Sequence, residues 1–149
     1  MTTTRHSPAA TAADGMLRAP RTEDPECTVG QARRVFDDDH VHALLVVDGG
    51  RLLAVVERPD LAGEPPEVLA ASLGRLADRT VPPDAELEPL RLRMVAAGIR
   101  RLAVVDGDRL LGLLCLKSSG TGFCTEEGVA ARAAERSGDQ HRQTPTVTC

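Results

Sequence analysis

The sequence predicts an α/β fold made from one supersecondary unit used twice, and three observations carry that expectation. The stretch Val41–Asp60 reads as two short apolar strands joined at Asp48-Gly49, and the same pattern returns over Ile99–Ser118. The copies stand at one constant offset, Leu44 to Leu102 and Leu53 to Leu111, in the tens-of-residues range where a repeat means a copied unit. At that offset Leu44, Val46, Val47, Asp48, Gly49, Arg51, Leu52 and Leu53 match Leu102, Val104, Val105, Asp106, Gly107, Arg109, Leu110 and Leu111. Chance does not hold such a run of identities in register. Finally, each copy carries a helix-forming segment ahead of its hairpin.

Taken in order, residues 1–15 are Thr, Ala, Ser and Pro without periodicity, and disorder is expected there. Met16–Pro20 reads as a lead-in strand or extended segment. Thr28 and Gln31 have the spacing of a capping box, in which two side chains satisfy each other's backbone donors. Val29, Ala32, Val35 and Phe36 then share one helical face, and the helix runs out into Asp37, Asp38 and Asp39, three acids that oppose its dipole. The runs Leu44–Val47 and Leu52–Val56 are almost unbroken apolar, as strands buried on both faces are. Asp48, Gly49 and Gly50 supply the tight connection.

Pro59 suits the first turn of a helix, and Pro66–Leu76 carries helical spacing through Val68, Leu69 and Leu73. The second copy predicts a helix with Leu87, Leu90, Met94 and Val95 on one face and Gly98 as its cap. The offset sets His40 opposite Gly98, which makes His40 a cap substitute in the left-handed region. A loop over 118–122 and a last helix over 125–134 complete the folded part.

Composition excludes several functions. There is no Trp or Tyr, and Phe36 and Phe123 are the two aromatic residues, so no platform for stacking bases exists. The formal charge of -4 argues further against a duplex partner. No apolar run approaches the roughly 20 residues a membrane span needs, and the first residues lack the apolar core of a secretory signal. A soluble cytoplasmic protein is expected. Cys27, Cys115, Cys124 and Cys149 show no CxxC pairing and read as free thiols.

The order strand, helix, strand, turn, strand, helix, occurring twice, resembles a stand-alone tandem of cystathionine-β-synthase (CBS) domains. His42–Asp48 through Val55–Leu61 carry the resemblance in the first copy, and Gly98–Asp106 through Leu110–Leu114 in the second. It implies an α/β (α+β) fold of two β-α-β-β-α repeats packed as a pseudo-twofold pair. The expected divisions are a disordered tail over 1–15, repeats over 16–66 and 67–136, and a flexible tail over 137–149.

Pairs of this family are regulatory modules that bind adenosine nucleotides or S-adenosylmethionine in clefts between the repeats, and they commonly dimerise. The resemblance therefore implies a non-catalytic sensor with AMP, ADP, ATP or S-adenosylmethionine as regulatory ligand and no required cofactor. It also implies a homodimer, with a regulated protein as further partner and neither nucleic acid nor membrane. In the family a Gly-hydrophobic-hydrophobic-Thr/Ser-x-x-Asp motif ends the last strand, and its Asp holds the ribose hydroxyls. A carboxylate can accept from two vicinal hydroxyls at once, and charge-assisted bonds are the stronger ones.

Matched by position, the first copy keeps that carboxylate as Asp60 but has Glu57 where Thr or Ser is usual. The second keeps Gly112 but has Cys115 and Ser118. Asp60 is thus the expected ribose ligand, Glu57 and Ser118 flank the motif, and Arg58, Arg100, Arg101 and His42 are the expected phosphate contacts. Charge agrees: from Leu87 to Ser118 six basic residues face three acids, whereas from Val29 to Asp60 four face six.

The alternative is a module that keeps the fold, has lost the site, and serves dimerisation and docking. A thiol sensor at Cys124, just before the last predicted helix, is a further one. A zinc site drawn from Cys115, Cys124, His40 and His42 lacks paired spacing, and there is no Gly-rich phosphate loop of the GxxxxGK type.

Overall fold

The computed structural model of the chain describes residues 9–125. In order these form α1 (Ala12–Gly15), β1 (Thr22–Glu23), α2 (Val29–Val35), β2 (Leu44–Asp48), β3 (Arg51–Val56), two 3-10 turns (Arg58–Leu61 and Ala70–Leu73), β4 (Thr80–Val81), α3 (Leu87–Ala97), β5 (Arg101–Asp106) and β6 (Arg109–Cys115). The strands join in the order β1-β2-β3-β6-β5-β4.

The duplication holds residue by residue. Thr22 pairs with Leu45 in the first half and Thr80 with Ala103 in the second, both parallel. Leu44 meets Val56 as Leu102 meets Leu114, both antiparallel, and each hairpin breaks register at the same place, Val46/Val47 and Val104/Val105. The halves touch strand to strand through the pair Arg51 and Arg109, two positions the offset maps onto each other. That is a pseudo-twofold axis.

Strand periodicity explains why the apolar runs are unbroken. Leu44, Val46, Ala54 and Val56 pack with Val29, Ala32 and Phe36 of the first helix. Their neighbours Leu45, Leu52 and Val55 meet Ala103, Leu113 and Cys115 in a core shared by both halves. Leu102, Val104, Leu114 and Leu116 pack with Leu90 and Met94 of α3. Each strand thus feeds a private core on one face and the common core on the other.

The capping box forms as the sequence predicts: the Gln31 N–H donates to Thr28 Oγ1 at 3.2 Å, and the Thr28 N–H donates to Gln31 Oε1 at 2.9 Å. Replacing Thr28 by Ala is expected to cost about 1 kcal/mol. In urea unfolding this lowers the midpoint while the slope stays constant.

The segments that precede each repeat change sides. Thr11 bridges to Glu86 and Leu17 to Leu113, both in the second half, while Leu69 bridges to Thr28 and Arg75 to Val55, both in the first. These pairs are again related by the offset. The crossing is tight: a Cβ on Gly112 would stand 2.5 Å from the Leu17 carbonyl oxygen, and one on Gly74 would stand 2.7 Å from that of Val55.

Several local expectations are corrected. Disorder through residue 15 does not hold at Ala12–Gly15, a helical turn whose Ala12 is buried against the second half. Met16–Pro20 contributes a single bridge at Leu17, and the lead-in strand is Thr22–Glu23. A helix over Pro66–Leu76 shrinks to the turn Ala70–Leu73, because the Val68 carbonyl accepts from Val29 and the Ala70 N–H donates to Cys27. The helix at Pro59 is one 3-10 turn.

His40 is not a left-handed cap; among the described residues Asp78 is the one non-glycine with positive φ. The first helix ends at Val35, earlier than its counterpart, and the chain turns through Asp38, whose carboxylate accepts the His40 N–H. Gly98 does cap α3, at φ 73. Val95 lies on the exposed face of that helix instead of the buried one. The expected last helix from residue 126 on and the C-terminal tail lie outside the described residues.

Candidate functional site

His42 stands just before β2, Glu57, Arg58 and Pro59 leave the end of β3, and Ala97–Arg101 join α3 to β5. Together they line a cavity of about 610 Å3 between the two halves. Five of the seven predicted site residues, His42, Glu57, Arg58, Arg100 and Arg101, therefore meet in one cleft. Asp60 is not among the lining residues. Ser118 is exposed in the loop after β6, outside that lining.

Four basic side chains share this space. Arg58 donates to the carbonyls of Phe36 and Val41 and lies 5.0 Å over the Phe36 ring, so much of its donor capacity is spent on the frame. Arg100 gives Nε to the Leu116 carbonyl at 3.1 Å, and its terminal nitrogens have no partner among the described residues. Arg101 is the unusual one, at 4 % exposure. It donates to the carbonyls of Arg100 and His40, and no carboxylate among the described residues lies within salt-bridge reach. Burial pushes its pKa down; Cys115 opposes this, and Arg100 adds to the lowering.

A buried cation without a counter-charge is costly. His42 registers the same field: burial first, then Arg101, Arg100 and Arg58, lower its pKa to about 4. It is a neutral imidazole at pH 7.

Asp60 is engaged elsewhere. Arg79, which the sequence analysis did not single out, donates to both its oxygens at 2.6 and 3.2 Å, and to the Val55 carbonyl at 2.7 Å. Burial would raise the Asp60 pKa, but the bonds from Arg79 and the Glu57 N–H outweigh it and hold it below the ordinary value. Glu57 lies 3.2 Å from the same guanidinium, which counters its charge.

The pseudo-symmetric cleft is of another kind. Cys115 and Leu116 stand where Glu57 and Arg58 stand, and both are buried in apolar cores. A larger cavity, about 760 Å3, lies between the N-terminal segment, the start of α3 and residues 121–125. Arg91 pairs there with Glu88 and the Asp14 carboxylate accepts from the Thr11 N–H, and none of the predicted site residues line it. No group of three or more His, Cys, Asp or Glu among the described residues is placed to hold a metal. Cys27 and Cys115 are free and buried, whereas Cys124 is disulfide-bonded, a correction to four free thiols.

A basic cleft between two copies of one α/β unit, related by a pseudo-twofold axis, defines a tandem-repeat module with one charged inter-repeat site. The CBS domain family matches residues 11–67 and 77–118, and the chain belongs to that family. A search of curated proteins finds none that matches.

Among solved structures, the chain resembles one named for an acetoin utilization protein, AcuB, of Vibrio cholerae, at 22% identity and TM-score 0.60 over 92% of this chain and 99% of that one. The cystathionine beta-synthase pair domain named for a Mg2+ transporter of Shewanella oneidensis matches at 21% identity and TM-score 0.64, over 90% and 74%. The cytosolic domain of the Mg2+ channel MgtE in complex with ATP matches at 25% identity and TM-score 0.57, over 72% and 46%.

Proposed function

We propose that this CBS pair is a non-catalytic regulatory module that binds an adenosine nucleotide, AMP, ADP or ATP, or a related ligand such as S-adenosylmethionine, in the cleft between its repeats. The observation that carries the reading is Arg101, a buried cation with no carboxylate in reach among the described residues, beside the open end of Arg100. An anionic ligand would supply the missing counter-charge, and focusing by the low-dielectric walls would concentrate it there. The ATP bound by the cytosolic domain of MgtE supports nucleotide as the ligand class. Binding would act by favouring one arrangement of the repeats, or of a regulated protein partner, over another.

A cytoplasmic setting is part of this proposal. No helix among the described residues is long and apolar enough to cross a membrane. A second reading, a ligand-free dimerisation and docking module, is favoured by Leu92 and Val95, which are 55% and 50% exposed on one face of α3.

The test is dye-monitored unfolding with each candidate ligand. At about 100 times its dissociation constant a ligand stabilises by roughly 2.7 kcal/mol, several degrees for a domain of this size. Arg100→Ala is expected to weaken binding about tenfold. No shift with any of the four, in a chain that sediments as a dimer, would favour the docking module.

Proton linkage gives an independent check. His42 titrates near pH 4 because of burial and the arginines, so an anion bound beside them raises its pKa. Binding then takes up a proton between the free and the bound values of that pKa, and affinity rises as pH falls through this range. NMR titration of the His42 ring with and without inorganic tripolyphosphate reads this directly. An unmoved His42 pKa would place the anion elsewhere.

A further inference from the structure

The two ends of the described chain meet at one cavity. Ala9 and Ala10 line one side of the space of about 760 Å3 at the start of α3, and Thr121–Thr125 line another. The offset that relates the repeats maps both Ala9 and Thr125 onto Glu67. In the first half the corresponding chain is unbroken and lies across the start of α2. There the Val29 N–H donates to the Val68 carbonyl at 2.7 Å, and the Gly30 N–H to that of Pro66 at 3.0 Å. A Cβ on Gly30 would stand 3.4 Å from that of Pro66, so little room is left. In the second half the Leu87 N–H donates to the Ala10 carbonyl at 2.9 Å, which repeats the first of these bonds. Here, however, one length of chain arrives at Ala9 and another leaves at Thr125. The gap between them is the cavity.

We propose that residues 126–149 return to this cavity as its cover, fastened by a disulfide between Cys124 and Cys149. Cys124 is disulfide-bonded, Cys27 and Cys115 are free, and the one further cysteine of the sequence is its last residue, Cys149. The segment thus begins at the cavity wall and is tied back to it. Its base is firm: the Cys124 N–H donates to the Cys115 carbonyl at 2.8 Å, and Leu116 bridges to Phe123. Its sequence suits the place. Val129, Ala130, Ala133 and Ala134 have the spacing of one apolar helical face, and the walls it would meet include Met16, Leu87 and Phe123. Burying the two apolar surfaces together favours the covered form.

The fastening is reversible. A dithiol reductant opens it by thiol–disulfide exchange: the S–S bond between Cys124 and Cys149 breaks, each sulfur ends as a thiol, and the two reductant thiols become one disulfide. In a cytoplasm that keeps thiols reduced, such a bond is transient and redox-sensing. The cover is therefore shut under oxidising conditions and released under reducing ones. This device does not depend on the nucleotide reading, since the cavity it closes holds none of the residues of the basic cleft.

The experiment uses the full chain. Tryptic digestion without reductant is expected to give residues 118–132 linked to 143–149, and reduction to separate them. Peroxide oxidation then reads the cavity at Met16, with Met94, 1% exposed in the core, as internal control. Met16 is expected to oxidise about fivefold faster in Cys149→Ser than in the wild type, with Met94 unchanged. Wild type that is reduced and alkylated with iodoacetamide is expected to behave as the variant does. A digest with no linked peptide overturns the proposal. Two copies of 118–132 linked to each other also overturn it, and assign the bond to a second copy of the chain. A Met16 rate that is the same in both proteins overturns the cover even where the link is found, and leaves the cavity to the N-terminal residues or to an outside ligand.

Discussion

Gly112→Ala is expected to destabilise the protein by about 2–4 kcal/mol, a lowering of Tm by some ten degrees or more. The new methyl group would stand 2.5 Å from the Leu17 carbonyl oxygen and 2.6 Å from the Met16 sulfur. Methionine can swing aside, but the carbonyl cannot, because Leu17 and Leu113 exchange backbone bonds in both directions, at 2.8 and 3.0 Å. Either that bridge breaks or β6 shifts against β5. The lead-in segment is the more weakly held of the two, so hydrogen exchange at Leu17 is expected to accelerate before exchange at Val104 does. Ala54→Gly, at the corresponding place in the first half, is expected to cost much less, since there the glycine is already on the other side as Gly74. Equal losses from the two substitutions would contradict this account of the crossing.

Arg101→Met is expected to raise stability and abolish ligand binding together. Methionine matches much of the length of arginine and fills the same apolar surroundings. Replacing a buried charge by a well-packed apolar group commonly gains about 1–4 kcal/mol, and Arg101, without a carboxylate partner, has little Coulomb energy to lose. Thermal unfolding without ligand should therefore move up by several degrees, while the nucleotide-dependent shift disappears. A variant less stable than the wild type would mean that Arg101 holds its neighbours Arg100 and His40 in place, and that the charge is structural.

The repeat and the hairpins were legible in the sequence because each rests on local chemistry, whereas the pseudo-twofold pairing was implied by the family resemblance. Asp48-Gly49 and Asp106-Gly107 make tight turns wherever they occur, and Thr28 with Gln31 closes its own cap. Helical spacing misled at Pro66–Leu76, where Val68 and Ala70 pack on the apolar interior from an almost unwound chain while Leu69 stays exposed. There the backbone groups are satisfied by Cys27 and Val29, distant in sequence, so periodicity alone suggested a helix that the fold does not need.

The same limit applies to the site. His42, Arg58, Arg100 and Arg101 were found by position in the repeated unit, and the structure brings them together. Arg79 was not found, because its position in the unit is held in the other copy by a surface arginine, and only tertiary contact makes it a partner of Asp60. Likewise nothing within residues 11–17 says that they join the second half. Pattern names the elements; it does not say which long-range pair completes them.

The exchanged lead-ins also set the order in which the chain can be finished as it is made. Residues 22–56 can form their hairpin early, but the Val55 backbone waits for Arg75, and Leu17 waits for Leu113. At about 5–20 residues per second, Leu17 stays without its partner for several seconds of synthesis. The first half is closed by residues 69–75, at the start of the second copy, and the second half closes only when its own hairpin meets Leu17. A nascent chain stopped before residue 69 would therefore present an unfinished sheet, and even a closed first half keeps β3 as an open edge until β6 arrives.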